Sequence, residues 1–227
     1  MEAFARAVRE EYGIELDVQL TADDQLVVFH DETLERVCGD ARKLHELSYA
    51  ELQKLRLFGT EERIPLLRDV LALVGGKVPL VVEIKSEGRW PQTTKLACEM
   101  LRSYEGLYCV ESFHPMVVRW FRKNAPDILR GQLSTDFFRE PNKLPRIARF
   151  LLTNLMLNFL SRPDFIAYDR RYLRLPSFRL CSALYRPVNA AWTVKSQSQM
   201  DEARGSYDVF IFEGFTPRDT EKTTQKE

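Results

Sequence analysis

Short apolar stretches recur along this chain, and stretches with the apolar periodicity of helices separate them. This alternation is typical of a parallel sheet built from β–α units, in which helices cover the strands. The pattern predicts seven strands, at residues 14–20, 80–85, 108–113, 128–133, 164–169, 188–194 and 209–212. The helices that it predicts include residues 91–104, 115–124, 144–160 and 197–204. The sequence therefore predicts an α/β fold.

Two parts of the chain depart from this alternation. A short apolar run at residues 26–29 is followed by a charged stretch, which we interpret as an insertion over about residues 30–66. Loops at strand ends form the active-site face of β/α barrels. At the N-terminus, residues 2–11 have helical periodicity and no strand precedes them. We therefore expect one domain over residues 1–215, a TIM-type (β/α)8 barrel that lacks its first strand, and a polar tail at residues 216–227.

Composition narrows the class of protein. The chain has 227 residues, 44% of them apolar, which is enough to bury one sizeable core. Its 33 basic and 33 acidic residues cancel, so the overall charge gives no reason to expect a nucleic acid as partner. The 4 cysteines are far apart and lack the spacing of a zinc site or of a disulfide framework. We therefore expect them to be reduced thiols. Without a recognisable secretory signal or spanning stretch, we expect a cytoplasmic protein unless a signal precedes Met1.

Charged side chains alternate with aliphatic ones in the first two predicted strands. The first strand places Glu15 and Asp17 on one face, and the second places Glu83 and Lys85 on one face. If the two strands are neighbours, the three carboxylates and the ammonium converge. A hard cation, Mg²⁺ or Ca²⁺, would relieve the repulsion among the carboxylates. The alternative is a solvated strand face with an ordinary Glu83–Lys85 ion pair.

Polar residues at other strand ends extend this candidate site. His30 lies where the second short apolar run gives way to a loop, and Asp31 follows it. A histidine in that place suits an acid or base near neutral pH, although a lone histidine is more often structural. Trp192, near another strand end, is a candidate to line the substrate pocket, with core packing as the alternative. Glu111 and Glu213 are weaker candidates for the same polar site.

Three motifs together resemble the signature of the glycerophosphodiester phosphodiesterase family. They are Glu15-x-Asp17 continuing to Thr21, the stretch at residues 27–31 that contains His30, and Glu83-Ile84-Lys85. Stretches at residues 112–113, 131–133 and 192–194 are similar to later elements of that fold. The resemblance therefore extends over nearly the whole chain.

The resemblance implies a TIM-type barrel that hydrolyses glycerophosphodiesters to glycerol phosphate and an alcohol. It also implies a divalent metal, Mg²⁺ or Ca²⁺, two catalytic histidines and a small phosphodiester as substrate. Carried onto this sequence, Glu15, Asp17 and Glu83 match the metal ligands. His30 matches the second catalytic histidine, and Lys85 matches the lysine near the phosphate.

The family's first motif, a His-Arg-Gly turn at the end of the first strand, has no counterpart in this sequence. We interpret Met1 as an internal methionine, with the first strand and the first histidine upstream of it. The alternative is a genuine short form, catalytically inactive, that still binds a divalent cation or a phosphodiester.

Residues 147–160 are apolar on nearly every helical face. Such a stretch is expected to pack as a barrel helix. The alternative is a peripheral contact with membranes or acyl chains, which would favour a lysophospholipid substrate over a water-soluble diester.

Overall fold

The computed structural model describes residues 1–218, so most of the tail expected at residues 216–227 lies outside the described residues. The chain divides into two compact units, Met1–Gln132 with Leu160–Pro163, and Leu133–Phe159 with the residues from Asp164 onward. The expectation of a single domain stays a prediction. Among residues 1–218, no helix is long and apolar enough to cross a membrane.

Strands and helices alternate along the described part of the chain. The strands are β1 (Ile14–Leu20), β2 (Leu26–Val28), β3 (Leu80–Ile84), β4 (Tyr108–Ser112), β5 (Arg130–Ser134), β6 (Phe165–Asp169), β7 (Val188–Val194) and β8 (Val209–Phe212). The helices are α1 (Glu2–Arg9), α2 (Glu35–Cys38), α3 (Tyr49–Leu52), α4 (Leu67–Val74), α5 (Trp90–Arg102), α6 (Pro115–Asn124), α7 (Arg146–Thr153), α8 (Asn158–Ser161), α9 (Pro176–Tyr185) and α10 (Gln197–Ala203). The predicted count of seven strands was wrong, because β2 is an additional strand.

In the first unit the strands follow the order β2-β1-β3-β4, and residues 130–132 of β5 lie next to β4. The pairs β1–β3, β3–β4 and β4–β5 are parallel, whereas β2 runs antiparallel to β1. The register places Asp17 opposite Glu83 and Glu83 opposite Glu111. Because residues directly opposite each other in paired strands share a face, these three carboxylates lie on one face of the sheet.

The other face of this sheet is apolar. Leu16 and Val18 of β1, with Val82 and Ile84 of β3, are buried in one core cluster that also contains side chains of α4 and α5. Burying an aliphatic side chain of this size stabilises the fold by about 1.5–3 kcal/mol. This burial also fixes the register, since a slip of one residue would turn the carboxylates into the apolar core.

The predicted insertion after β2 has a small core of its own. Leu34, Leu44, Leu52 and Ile64 are buried together there. Ser48 and its N3 glutamate form a capping box that begins α3, which satisfies backbone amides at the start of this short helix. The insertion is therefore ordered, and its core supports the segment that carries His30.

In the second unit, β6, β7 and β8 pair in parallel. Tyr168, Phe178 and Tyr207 stack in its core, with ring centroids 4.6 Å and 5.5 Å apart. The prediction of one helix at residues 144–160 was wrong. The chain forms α7 and α8 instead, and Leu155 between them has a left-handed φ of 55° and a buried side chain.

Candidate active site

Carboxylates from two neighbouring strands meet on one face of the first unit's sheet. Glu15 and Asp17 come from β1 and Glu83 comes from β3, and one ligand oxygen of each lies within 4.8 Å of the others. Glu83 is buried, and the other two residues are half-buried. The arrangement follows from strict alternation in β1 and β3, which sends every second side chain to this face.

The ammonium of Lys85, which directly follows β3, lies within this cluster. Its Nζ is 2.8 Å from Asp17 Oδ1 and 3.0 Å from Glu83 Oε2, and the side chain is only 10% exposed. An ammonium has three N–H donors, so two bonds to carboxylates leave one donor for a ligand. Glu83 and Lys85 therefore form an ion pair, which is part of a larger charged cluster. The strand face that carries them is largely buried and not solvated.

Burial and repulsion perturb the ionisation of this cluster. Burial raises the pKa of Glu83 well above its ordinary value; Lys85 opposes the rise, and Asp17 and Glu15 add to it. For Lys85, burial acts to lower the pKa, but Glu83 and Asp17 outweigh it and the pKa is raised. The ammonium therefore stays charged, and it opposes the repulsion among the carboxylates.

A fourth carboxylate, Glu111 of β4, faces the same cluster. It is 2% exposed, and within the described structure its Oε2 has no hydrogen-bond partner. Burial raises its pKa well above the ordinary value, and Glu15, Glu83 and Asp17 raise it further. The sequence had marked Glu111 only by its place near a strand end, and the structure brings it to the site.

His30 lines a cavity of about 440 Å³ together with Glu83 and Lys85. Its Nδ1 lies 2.7 Å from Asp31 Oδ1, and Arg36 donates two hydrogen bonds to the same carboxylate, at 2.7 Å and 2.9 Å. Arg36 and then His30 hold the pKa of Asp31 below its usual range, so this carboxylate is an ionised acceptor. The Nδ1 position therefore carries the proton of a neutral ring, which leaves Nε2 for a substrate.

The segment that carries His30 is fixed by a residue that the sequence had not singled out. Gln19 Nε2 donates hydrogen bonds of 2.8 Å to the carbonyl oxygens of Phe29 and Asp31. Its place on the same face as the β1 carboxylates was a signal for this role. For Arg36 the sequence offered no signal, because the pairing depends on how the insertion folds.

The two other histidines serve the fold. His114 accepts a hydrogen bond from the Met116 amide at 3.2 Å and so begins α6, and burial lowers its pKa. His45 packs closely against Gly88, where a Cβ would meet the imidazole ring at 3.0 Å. Of the three histidines, all within the described residues, only His30 lines the cavity.

Two candidates from the sequence, Trp192 and Glu213, belong to the second unit. Trp192 Nε1 donates a hydrogen bond to the Ala167 carbonyl at 3.2 Å, and the residue is half-buried. Glu213 pairs with Lys195 at 2.8 Å on the surface. The contacts of Glu213 are therefore those of an exposed ion pair, and a part for Trp192 in substrate binding stays a prediction.

Comparison with known proteins identifies the family. Residues 1–206 match the glycerophosphoryl diester phosphodiesterase family. The chain belongs to this family. The matched residues include β1 and β3, which supply the carboxylates, and the loop positions of Lys85 and His30.

Two curated glycerophosphodiester phosphodiesterases illustrate the likeness. The protein of Caldanaerobacter subterraneus subsp. tengcongensis is 37% identical over 131 residues, which are 53% of this chain and 54% of that protein. The protein of Bacillus altitudinis is 33% identical over 141 residues, 57% of this chain and 58% of that protein. The chain thus matches just over half the length of these relatives.

Solved structures show the same α/β fold. A phosphodiesterase from Oleispira antarctica, solved in complex with the product sn-glycerol-3-phosphate, has a TM-score of 0.75 at 18% identity. The comparison covers 93% of this chain and 85% of the Oleispira chain. The fold shared with this protein therefore extends over nearly the whole chain.

Proposed function

We propose that this chain hydrolyses glycerophosphodiesters to glycerol phosphate and an alcohol. One observation carries the proposal: the cluster of Glu15, Asp17, Glu83 and Lys85 adjoins a cavity that His30 also lines. Cleavage of a phosphodiester needs charge neutralisation on the phosphoryl oxygens and proton transfer at the attacking and departing oxygens. The cluster suits the first requirement and the histidine suits the second. Family membership and the product bound to the Oleispira relative support this substrate class.

In this proposal Glu15, Asp17 and Glu83 would hold a divalent cation, Mg²⁺ or Ca²⁺. The residues fit such an ion, because all donors are carboxylate oxygens that converge on one point, and Asp17 and Glu15 add to the rise that burial causes in the pKa of Glu83. Glu111 beside them has a buried oxygen without a hydrogen-bond partner, which is a further oxygen donor close to this site. When bound, the cation supplies charge neutralisation for the phosphoryl oxygens.

Lys85 and His30 act on the substrate directly. The remaining N–H of Lys85 donates to a phosphoryl oxygen, while Asp17 and Glu83 hold the ammonium in place. His30, oriented by Asp31, exchanges a proton with a substrate oxygen through Nε2. A positioned acid or base of this kind contributes about 10²–10⁴-fold to the rate.

Cleavage requires two proton transfers, and the proposal assigns one of them to His30. The family resemblance implies a second catalytic histidine. His45 packs against Gly88 and His114 begins α6, and neither lines the cavity that His30 lines. A protein that binds the cation or the diester without cleaving it is the second candidate function.

A TIM-type barrel is part of the proposal, supported by the parallel β–α order in both units and by the fold of the Oleispira relative. Trp192 is proposed to line the pocket for the glycerol or alcohol group.

Hydrolysis of glycerophosphocholine, followed by ³¹P NMR with Mg²⁺, Ca²⁺ or chelator, tests the proposal. The diester signal should give way to a monoester signal only when the cation is present. Glu83→Gln should abolish this conversion, whereas Glu99→Gln, a change to an exposed glutamate of α5, should leave it intact. Full conversion in chelator would contradict the metal assignment, and cation binding without any conversion would favour the second candidate.

A lysophospholipid is a further candidate substrate, because apolar side chains in the segment 147–160 are exposed. Ile147 is 76% exposed and Phe159 is 70% exposed. The same ³¹P assay with lysophosphatidylcholine decides this question. Conversion of glycerophosphocholine alone would rule the lipid substrate out.

A further inference from the structure

Helix α9, in the second unit, presents an apolar stripe to solvent. Of its ten residues only Phe178 is buried. Leu180 and Leu184, one helical turn apart, are 59% and 65% exposed, and Tyr185 beside them is 76% exposed. Residues spaced by four positions lie on the same helical face, so the two leucines form a continuous patch.

The stretch of sequence that contains this stripe carries charge of one sign. Residues 170–200 contain no carboxylate, although the whole chain has a net charge of zero. The cations of this segment are Arg170, Arg171, Arg174, Arg179, Arg186 and Lys195. The exposed leucines of α9 therefore lie in a stretch of sequence that is rich in arginine and contains no acid, although Arg171 pairs with Asp169 and Lys195 pairs with Glu213 in the fold.

Two of these arginines border a second cavity, of about 730 Å³. Among the described residues, the guanidinium groups of Arg174 and Arg179 have no hydrogen-bond or ion-pair partner. The carboxylate of Asp208, on the same cavity, accepts a hydrogen bond of 2.8 Å from the Asn189 amide. Arg204, also on its wall, pairs with Asp201 at 3.2 Å. Arg174 and Arg179 are thus the uncommitted cations of this cavity.

We propose that this face of α9 binds the surface of an anionic phospholipid bilayer. Leu180 and Leu184 enter the boundary between headgroups and acyl chains, and Arg174 and Arg179 contact lipid phosphates. Amphipathic helices that lie in a membrane surface combine an apolar face with flanking cations in this way. A free phosphate ion would satisfy the arginines but leave the leucines in water. A second copy of the chain would place like charges against each other.

Membrane binding goes beyond hydrolysis, and it is independent of the carboxylate cluster. Vesicle co-sedimentation compares phosphatidylcholine with mixtures of phosphatidylcholine and phosphatidylglycerol. The protein should pellet with the anionic vesicles and be released as salt is raised. Each cation near an anionic surface contributes about 1 kcal/mol, about fivefold in affinity. The double variant Arg174→Gln/Arg179→Gln should therefore bind about 25-fold more weakly than the unsubstituted chain.

The leucine stripe has a matched control in the first unit. Leu180→Ser/Leu184→Ser should abolish pelleting, whereas Leu107→Ser/Leu129→Ser, at leucines that are 74% and 58% exposed, should not. Hydrolysis of soluble glycerophosphocholine should be unchanged in both. Equal pelleting with neutral vesicles, equal loss in both leucine pairs, or a concentration-dependent dimer that Leu180→Ser/Leu184→Ser dissolves would overturn the proposal.

Discussion

Replacement of Lys85 by methionine tests the electrostatics of the carboxylate cluster. The substitution keeps an unbranched side chain of similar length but removes the ammonium that contacts Asp17 at 2.8 Å and Glu83 at 3.0 Å. Lys85 is only 10% exposed, so solvent screens the lost charge weakly. Removal of one partner from a buried ion pair costs about 3–5 kcal/mol. That is a large part of the roughly 5–15 kcal/mol by which a domain is stable.

Urea unfolding at pH 7 in chelator measures the loss of stability. Lys95→Met is the matched control, because Lys95 Nζ lies 3.8 Å from Glu99 and both side chains are more than half exposed, at 67% and 59%. An exposed pair of this kind contributes less than about 0.5 kcal/mol. Millimolar Ca²⁺ should restore more stability to Lys85→Met than to the unsubstituted chain, since the variant's cluster is more negative.

The pH dependence gives an independent check. Burial raises the folded-state pKa of Glu83 above its unfolded value, so a protonated Glu83 contributes stability at low pH that is lost as pH rises. The loss of unfolding free energy that Lys85→Met causes, relative to the unsubstituted chain, should therefore grow from about pH 4.5, near the unfolded pKa of glutamate, towards neutrality. A deficit within 1 kcal/mol of that of Lys95→Met, or one that does not change with pH, would refute this reasoning.

Three further outcomes follow from the proposed function. His30→Asn should lower kcat about 10²–10⁴-fold without changing the melting temperature, and a loss below tenfold in steady-state assays would contradict its role as acid or base. The rise in melting temperature caused by Ca²⁺ should be larger at pH 8 than at pH 5, because Glu83 must lose its proton to bind the ion; Glu83→Gln should remove this difference in differential scanning fluorimetry. Trp192→Ala should raise KM with kcat nearly unchanged, and an unchanged KM would assign Trp192 to packing alone.

The fold was predictable where one rule determined local structure. Strict alternation in β1 and β3 gave the strands and the shared face of Asp17 and Glu83, because one side of the sheet had to be apolar. The eighth strand was missed since β2 has only three residues and pairs through an antiparallel hairpin that the β–α pattern does not include. The break at Leu155 was missed because an apolar run does not reveal a left-handed residue.

The candidate site was predictable in its charged strand residues and less so in its supporting contacts. Glu15 and Lys85 could be placed because period-2 alternation fixes direction on a strand. The bidentate contact of Arg36 with Asp31 depends on the core of the insertion, which brings residues five positions apart together. Glu111 could be placed at a strand end, but its burial depends on the register of β4 against β3.

A crystal soaked in Mn²⁺ and measured near the manganese absorption edge tests the central claim, that the carboxylate cluster is a divalent metal centre. The account predicts one strong anomalous peak about 2.0–2.6 Å from carboxylate oxygens of Glu15, Asp17 and Glu83, distances typical of hard cations with oxygen ligands. The peak should disappear in Glu83→Gln and persist in Glu99→Gln. No peak at this cluster, or a peak unaffected by Glu83→Gln, would contradict the claim.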